Sequence, residues 1–283
     1  DIKGEIMYFI MIFSFTISLI LSYIFTPRII NMMKKAKIVC ENYKLEKIPT
    51  SVGVVFIFVQ VVTLGVIQVL FGFEDNFYLI YLLGFIFMGY LGVLDDLIGT
   101  RYIKGLRGHL TALFHGEITT GALKAVFGFF ISLFISSVIS NNIVEFIVNT
   151  FIIGLFTNFI NLFDLRPGRA IKMFVFSAIV LLIASVSYKY VYVILSFFGI
   201  LIPYIKLDLK AMVMMGDAGS NILGYTLGIF AANSLNMIGK IVFLLMLIII
   251  HILSEKVSFS KVIDNNKFLR FLDMIGRYED DKL

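Results

Sequence analysis

Nine apolar runs dominate the chain, at residues 6–26, 51–72, 77–94, 119–140, 143–163, 171–187, 189–205, 219–237 and 239–253. A helix needs about 20 apolar residues to cross the hydrocarbon core of a bilayer. Backbone in that core must satisfy its own hydrogen bonds, which leaves helices or closed barrels, and runs of this length select helices. The reading is an all-α integral membrane protein, a polytopic bundle of about nine transmembrane helices. Composition agrees: 15% of residues are charged, against roughly 25% in soluble domains. No polar stretch is long enough for a sizeable extramembrane domain, and no internal repeat stands out, so residues 1–283 read as one polytopic membrane domain. The first run is not trailed by a small-residue cleavage site and reads as a retained helix. The single cysteine, Cys40, excludes an intrachain disulfide.

Alternating the sides of successive helices sorts the cations sharply. One face takes all but three (Lys3, Lys189 and Lys240) of the 24 Lys and Arg residues. The positive-inside rule makes that face cytoplasmic, with the N-terminus outside and the C-terminus inside. Residues 257–277 mix Val262, Leu269, Leu272 and Ile275 with Lys and Asp, the pattern of an amphipathic tail along the inner interface. The net charge of +5 follows from this topology and from anionic lipid, so no nucleic-acid partner is implied.

The acids are scarce and unevenly placed. Asp95 and Asp96 end the third run, Asp164 follows Asn158 and Asn161 at the end of the fifth, Asp217 opens the eighth in Gly216-Asp217-Ala218-Gly219-Ser220, and His251 closes the ninth ahead of Glu255. Each alone reads as a solvated helix end, a cap or a polar interface residue. Together they put metal-grade ligands from four helices at one depth on the cytoplasmic face. Two adjacent carboxylates at a helix C-terminus oppose the helix dipole unless a cation relieves them. Hard carboxylates hold Mg²⁺, which in turn bridges substrate phosphates. Basic, Gly-containing loops, Lys104-Gly105-Leu106-Arg107-Gly108-His109 and Arg166-Pro167-Gly168-Arg169, supply cations for phosphate. The chemistry this set suits is phosphoryl transfer between a soluble nucleotide and a lipid phosphate.

These motifs, in this order over residues 42–255, resemble the polyprenyl-phosphate N-acetylhexosamine-1-phosphate transferases (glycosyltransferase family 4), which include the phospho-N-acetylmuramoyl-pentapeptide translocase and the UDP-GlcNAc:undecaprenyl-phosphate GlcNAc-1-phosphate transferases. Lys47-Ile48-Pro49-Thr50-Ser51-Val52-Gly53 is similar to the family's Lys-x-Pro-Thr-x-Gly-Gly loop, with Val52 in place of the first Gly. Asp95-Asp96 is similar to its acidic pair, Asn158/Asn161/Asp164 to Asn-x-x-Asn-x-x-Asp, and Gly216–Ser220 to Gly-Asp-x-Gly-Ser. The resemblance implies a bacterial plasma-membrane enzyme that uses Mg²⁺ or Mn²⁺. It would move a hexosamine-1-phosphate from a UDP-sugar to undecaprenyl phosphate, release UMP, and so start a cell-envelope polymer such as peptidoglycan or teichoic acid. It implies catalytic roles for Asp95, Asp96, Asp164 and His251 and metal contacts from Asp217 and Asn161. Substrate contacts would come from Lys47, Lys104, Arg107, Asn158, Arg166 and Arg169. Two departures stand out: Asp164 is followed by Leu165-Arg166-Pro167-Gly168 where the family has a second acid, and the last loop carries one His. The alternatives are a membrane transporter or lipid flippase, which would place ionisable groups near the midplane, and an inactive relative serving as scaffold. The sugar, the polymer pathway and homodimerisation are left open by the residues.

Overall fold

The computed structural model describes residues 2–72, 77–99, 108, 111–112 and 115–277. Its long helices are α1 (Ile2–Lys35), α2 (Val54–Phe71), α3 (Phe77–Ile98), α4 (Thr120–Ile139), α5 (Ile143–Asn161), α6 (Arg169–Ala184), α7 (Val191–Leu209), α8 (Gly216–Ser234) and α9 (Met237–Lys256). Two short helices follow, α10 (Phe259–Asn265) and α11 (Lys267–Met274). Among the described residues the sheet is a single antiparallel hairpin, β1 (Val39–Glu41) with β2 (Lys47–Pro49), registered Val39 to Pro49 and Glu41 to Lys47. Each of the nine apolar runs falls on one of the nine long helices, and seven of these are long and apolar enough to cross a membrane.

The two that fall short do so for different reasons. Helix α6 has only 16 residues. Helix α8 has 19, but it carries Asp217, Asn221, Asn233 and several Gly and Ser. Its composition follows from its place: 16 of its residues are buried, so protein rather than lipid surrounds it. It packs mainly against α5 and α3. A Cβ at Gly224 would strike the backbone of Phe156 and Thr157, and one at Gly228 would crowd Ile153. Small residues one turn apart let helix backbones approach closely, as membrane helix pairs commonly do.

On the other side of the bundle α1 lies along α7. Ser14 donates to the Tyr192 carbonyl (3.0 Å) and Ser22 to that of Ile200 (2.7 Å). Each buried hydroxyl therefore finds an acceptor where no water is at hand. Between α2, α3, α7 and α8 runs an uncharged chain of buried groups: Ser196 donates to Gln60 (2.8 Å), Gln60 to the Tyr81 hydroxyl (3.3 Å), and that hydroxyl meets Thr226 (2.9 Å).

Two stretches differ from the sequence reading. Residues 27–35, expected in the first inner loop, continue α1 as helix through Pro27. The tail expected as one amphipathic segment is broken at Asn266, whose side-chain oxygen caps α11 by accepting from the N–H groups of Phe268 (3.0 Å) and Leu269 (3.1 Å).

Candidate active site

The N-terminus of α8 is the hub of the site. Gly216 enters it at φ +68, a left-handed conformation that glycine adopts without a Cβ penalty. A Cβ at this position would also overlap the Asp96 carboxylate. That carboxylate accepts from the backbone N–H of Asp217 (2.8 Å) and of Ala218 (3.2 Å), and from Ser51 Oγ (2.7 Å). Asp96 ends α3 and so caps the positive end of α8, which answers the dipole problem posed by two acids at a helix C-terminus.

The loop before α2 is laced to the same place. Met214 N–H donates to the Pro49 carbonyl (2.9 Å), Val52 N–H to that of Met214 (3.1 Å), and Gly53 N–H to that of Met215 (3.0 Å). Gly53 lies against the backbone of Gly219 so tightly that no side chain fits there. Val52, where the related loops have glycine, is fully buried. The hairpin and its loop thus form a wall over the start of α8.

Asp95 and Asp217 converge on one cation. Lys124, near the start of α4, ion-pairs with Asp217 and with Asp95 (3.3 Å). Asn161, ending α5, completes the set. With its amide oxygen toward Lys124 Nζ (3.0 Å), its nitrogen donates to Asp217 Oδ1 (3.1 Å) and to Ser220 Oγ (3.3 Å), an orientation that suits every neighbour. Three hard oxygens, from Asp95, Asp217 and Asn161, therefore surround a single ammonium.

A cleft of about 250 Å³ opens beside this cluster, lined by Asp96, Asn161, Asp164, Asp208 and Asp217 and walled by Tyr43, Cys40 and Thr50. Asp164, in the turn after α5, has its carboxyl pushed well above the ordinary range, first by burial and then by the charges of Asp208, Asp217 and Asp96. Arg166 lines the cleft with its guanidinium over the Tyr43 ring, 5.2 Å from the centroid, a cation–π arrangement.

The structure therefore brings Asp95, Asp96, Asn161, Asp164, Asp217 and Arg166 together. Four other expected residues, all among those described, lie outside the cleft lining. Asn158 lies one turn back on α5, outside the lining. Lys47 is exposed on β2 and also outside it. His251 donates from Nδ1 to the Leu247 carbonyl (2.8 Å), which leaves Nε2 as an acceptor, buried and without a partner among the described residues. Lys104 and Arg107 fall outside the described residues. Arg169, expected at the substrate, lies outside the cleft lining. It is buried and holds Asp273 of α11 through two hydrogen bonds of 2.9 Å, with a third to Ser260 (2.9 Å).

Three participants carry no role in the sequence reading. Lys124 is there one of the inner-face cations. Ser51 is a variable position of the Lys47–Gly53 loop motif. Asp208, near the end of α7, accepts from Gly168 N–H (2.7 Å) and lends the cleft a carboxylate beside the turn that departs from the family pattern. The sequence does hold a signal for Lys124: it is the lone cation of an otherwise apolar helix, near its start.

A search of curated protein sequences finds no match. Residues 78–235, more than half of the chain and the segment that holds Asp95, Asp96, Lys124, Asn161, Asp164 and Asp217, match the model of glycosyl transferase family 4. This chain is a membrane transferase of glycosyl transferase family 4, phospho-sugar transferases that act on polyprenyl phosphate.

Proposed function

We propose that the protein transfers an N-acetylhexosamine-1-phosphate from a UDP-sugar to undecaprenyl phosphate at the cytoplasmic face of the plasma membrane, releasing UMP. The observation that carries this reading is the convergence of Asp95, Asp217 and Asn161 on the ammonium of Lys124, beside an acid-lined cleft. The departing Leu165–Gly168 turn leaves this cluster whole, which favours an active enzyme over a scaffold. In the reaction a lipid phosphate oxygen forms a bond to the β-phosphorus of the UDP-sugar. The bond from that phosphorus to the bridging oxygen breaks, and UMP leaves with the electron pair.

Lys124 is placed to neutralise charge on the transferring phosphoryl group, which is where catalysis of this type acts. Of the acidic pair, Asp95 faces Lys124, whereas Asp96 already accepts three hydrogen bonds that hold α8. Asp95 is thus the partner for a proton on the lipid phosphate, and Asp96 the residue that fixes Asp217. Arg166, stacked on Tyr43, borders the space for the nucleotide.

The donor set suits a hard divalent cation. Among the described residues no three His, Cys, Asp or Glu side chains form a ready-made metal cage. Mg²⁺, however, is commonly held by one or two carboxylates together with substrate phosphates. Asp217, with Asp95 and the Asn161 amide, would hold it, and when bound it would offset pyrophosphate charge and improve UMP as a leaving group.

Purified protein in nanodiscs with undecaprenyl phosphate, Mg²⁺ and a panel of UDP-sugars should release UMP with one of them. Replacing Asp217 by Asn or Lys124 by Met should lower that rate by about 100-fold or more. Wild-type rates in both variants would overturn the mechanism.

A further inference from the structure

Helix α11 is amphipathic in an inverted sense. Phe268, Phe271, Leu272 and Ile275, spaced i, i+3, i+4 and i+7, form one stripe, and all four are exposed, the two phenylalanines by about two-thirds. The opposite side carries Asp273, which is buried against the protein. There it accepts from Arg169 (2.9 Å to each oxygen) and from Arg277 (3.1 Å). Three further bonds fix the seat: Arg277 donates to the Pro167 carbonyl (2.8 Å), and Lys172 to those of Leu272 (3.2 Å) and Asp273 (2.5 Å). The polar side thus faces inward and the apolar side outward, the reverse of a helix packed in water.

Contiguous exposed aromatic and aliphatic stripes mark a surface that something apolar covers. The flanking charges say what. Lys256 ends the last long helix, Lys261, Lys267 and Arg270 follow it within fifteen residues, and all four are exposed. A basic cluster beside an apolar helix face, next to a membrane span, is suited to anionic headgroups over acyl chains. We propose that α11 lies in the leaflet on the cleft side of the protein, with Phe268, Phe271, Leu272 and Ile275 among the acyl chains and Lys267 and Arg270 on anionic headgroups. Asp273 ties that helix through Arg169 to the turn that borders the cleft. The lipid surface is then a partner of the turn between α5 and α6, reached through the buried cluster of Asp273, Arg169 and Arg277.

The chain has no tryptophan, so an F271W variant carries a single indole. In nanodiscs with equal parts phosphatidylglycerol and phosphatidylcholine bearing brominated tails, its emission should be quenched about twofold or more, as for a helix seated in the interface. Aqueous iodide should leave it unchanged, and the bromine effect should weaken in phosphatidylcholine alone. F268W should behave alike, which guards against one misfolded variant. Quenching by iodide but not bromine would overturn the proposal. So would protection from both, which would mean that a second copy of the chain covers the stripe. Equal quenching in the two lipid mixtures would overturn the role of the anionic headgroup. None of these readings depends on transferase turnover.

Discussion

Gly216 shows how much of the site rests on one missing methyl. Its φ of +68 and the Asp96 carboxylate pressed against its open face both demand glycine. A Gly216→Ala variant should lose about 1–2 kcal/mol from the left-handed backbone alone. Displacement of Asp96 from the α8 N-terminus adds to this, and transfer should fall with it. Thermal unfolding followed by fluorescence-detected size exclusion checks the stability, with Gly65→Ala as the control, since a Cβ there meets nothing within 4 Å. At this scale the sequence was partly legible. Acids are conspicuous in an apolar chain, so Asp95, Asp96, Asp164 and Asp217 could be picked out by type alone. Lys124 stands out as a lone cation on an apolar helix, but not for the acids it meets. Ser51 and Asp208 do not stand out, because their roles arise where the loop before α2 meets α3 and where α7 meets the 162–168 turn.

Among the elements, the junction of α11 with the start of α6 gives the sharpest expectation. Arg169 and Asp273 are buried together and joined by two hydrogen bonds. Removing one partner of such a pair typically costs about 3–5 kcal/mol, because the other charge is left behind. Asp273→Ala should therefore free the tail, seen as faster hydrogen exchange across residues 259–277 with little change in α3 or α8. The pH dependence follows from Asp273 itself. Burial pushes its carboxyl upward, but the Arg169 hydrogen bonds and the charges of Arg277, Arg169 and Lys172 outweigh this and hold it below the ordinary range. The stabilisation is then complete above the unfolded carboxylate range and is lost only as pH falls through the lower folded value. Tail protection should stay flat from neutral pH to about pH 5 and drop in stronger acid. The tail's amphipathic character could be read from its apolar spacing. Its break at Asn266 and its partner Arg169 could not: the first depends on a side-chain cap, and the second lies 104 residues away.

For the molecule as a whole, the length of the apolar runs located the nine long helices among the described residues, seven of them long and apolar enough to span, because lipid-facing sequence tolerates little but apolar residues. Helices α6 and α8 gave the weaker signals for a physical reason: α8 is wrapped in protein and is free to be polar, and α6 is short. Which way the bundle faces is open to a direct test, since Cys40 is the chain's one thiol and lines the cleft. A membrane-impermeant maleimide should label it in inverted vesicles and spare it in intact spheroplasts, and a bound UDP-sugar should slow the reaction. Labelling of spheroplasts would reverse the topology.

The Arg169–Asp273 pair also carries a schedule. A ribosome delivers Arg169 first and Asp273 more than a hundred residues later, after α7, α8 and α9 have been made. Until then the turn bordering the cleft has Asp208 to hold Gly168 but lacks its tie to α11, and the guanidinium that will be buried is without the Asp273 carboxylate. The protein's working surface is thus finished only once Asp273 has been made, so a chain released before that residue would hold its acids in place but leave the cleft's edge without its tie to α11.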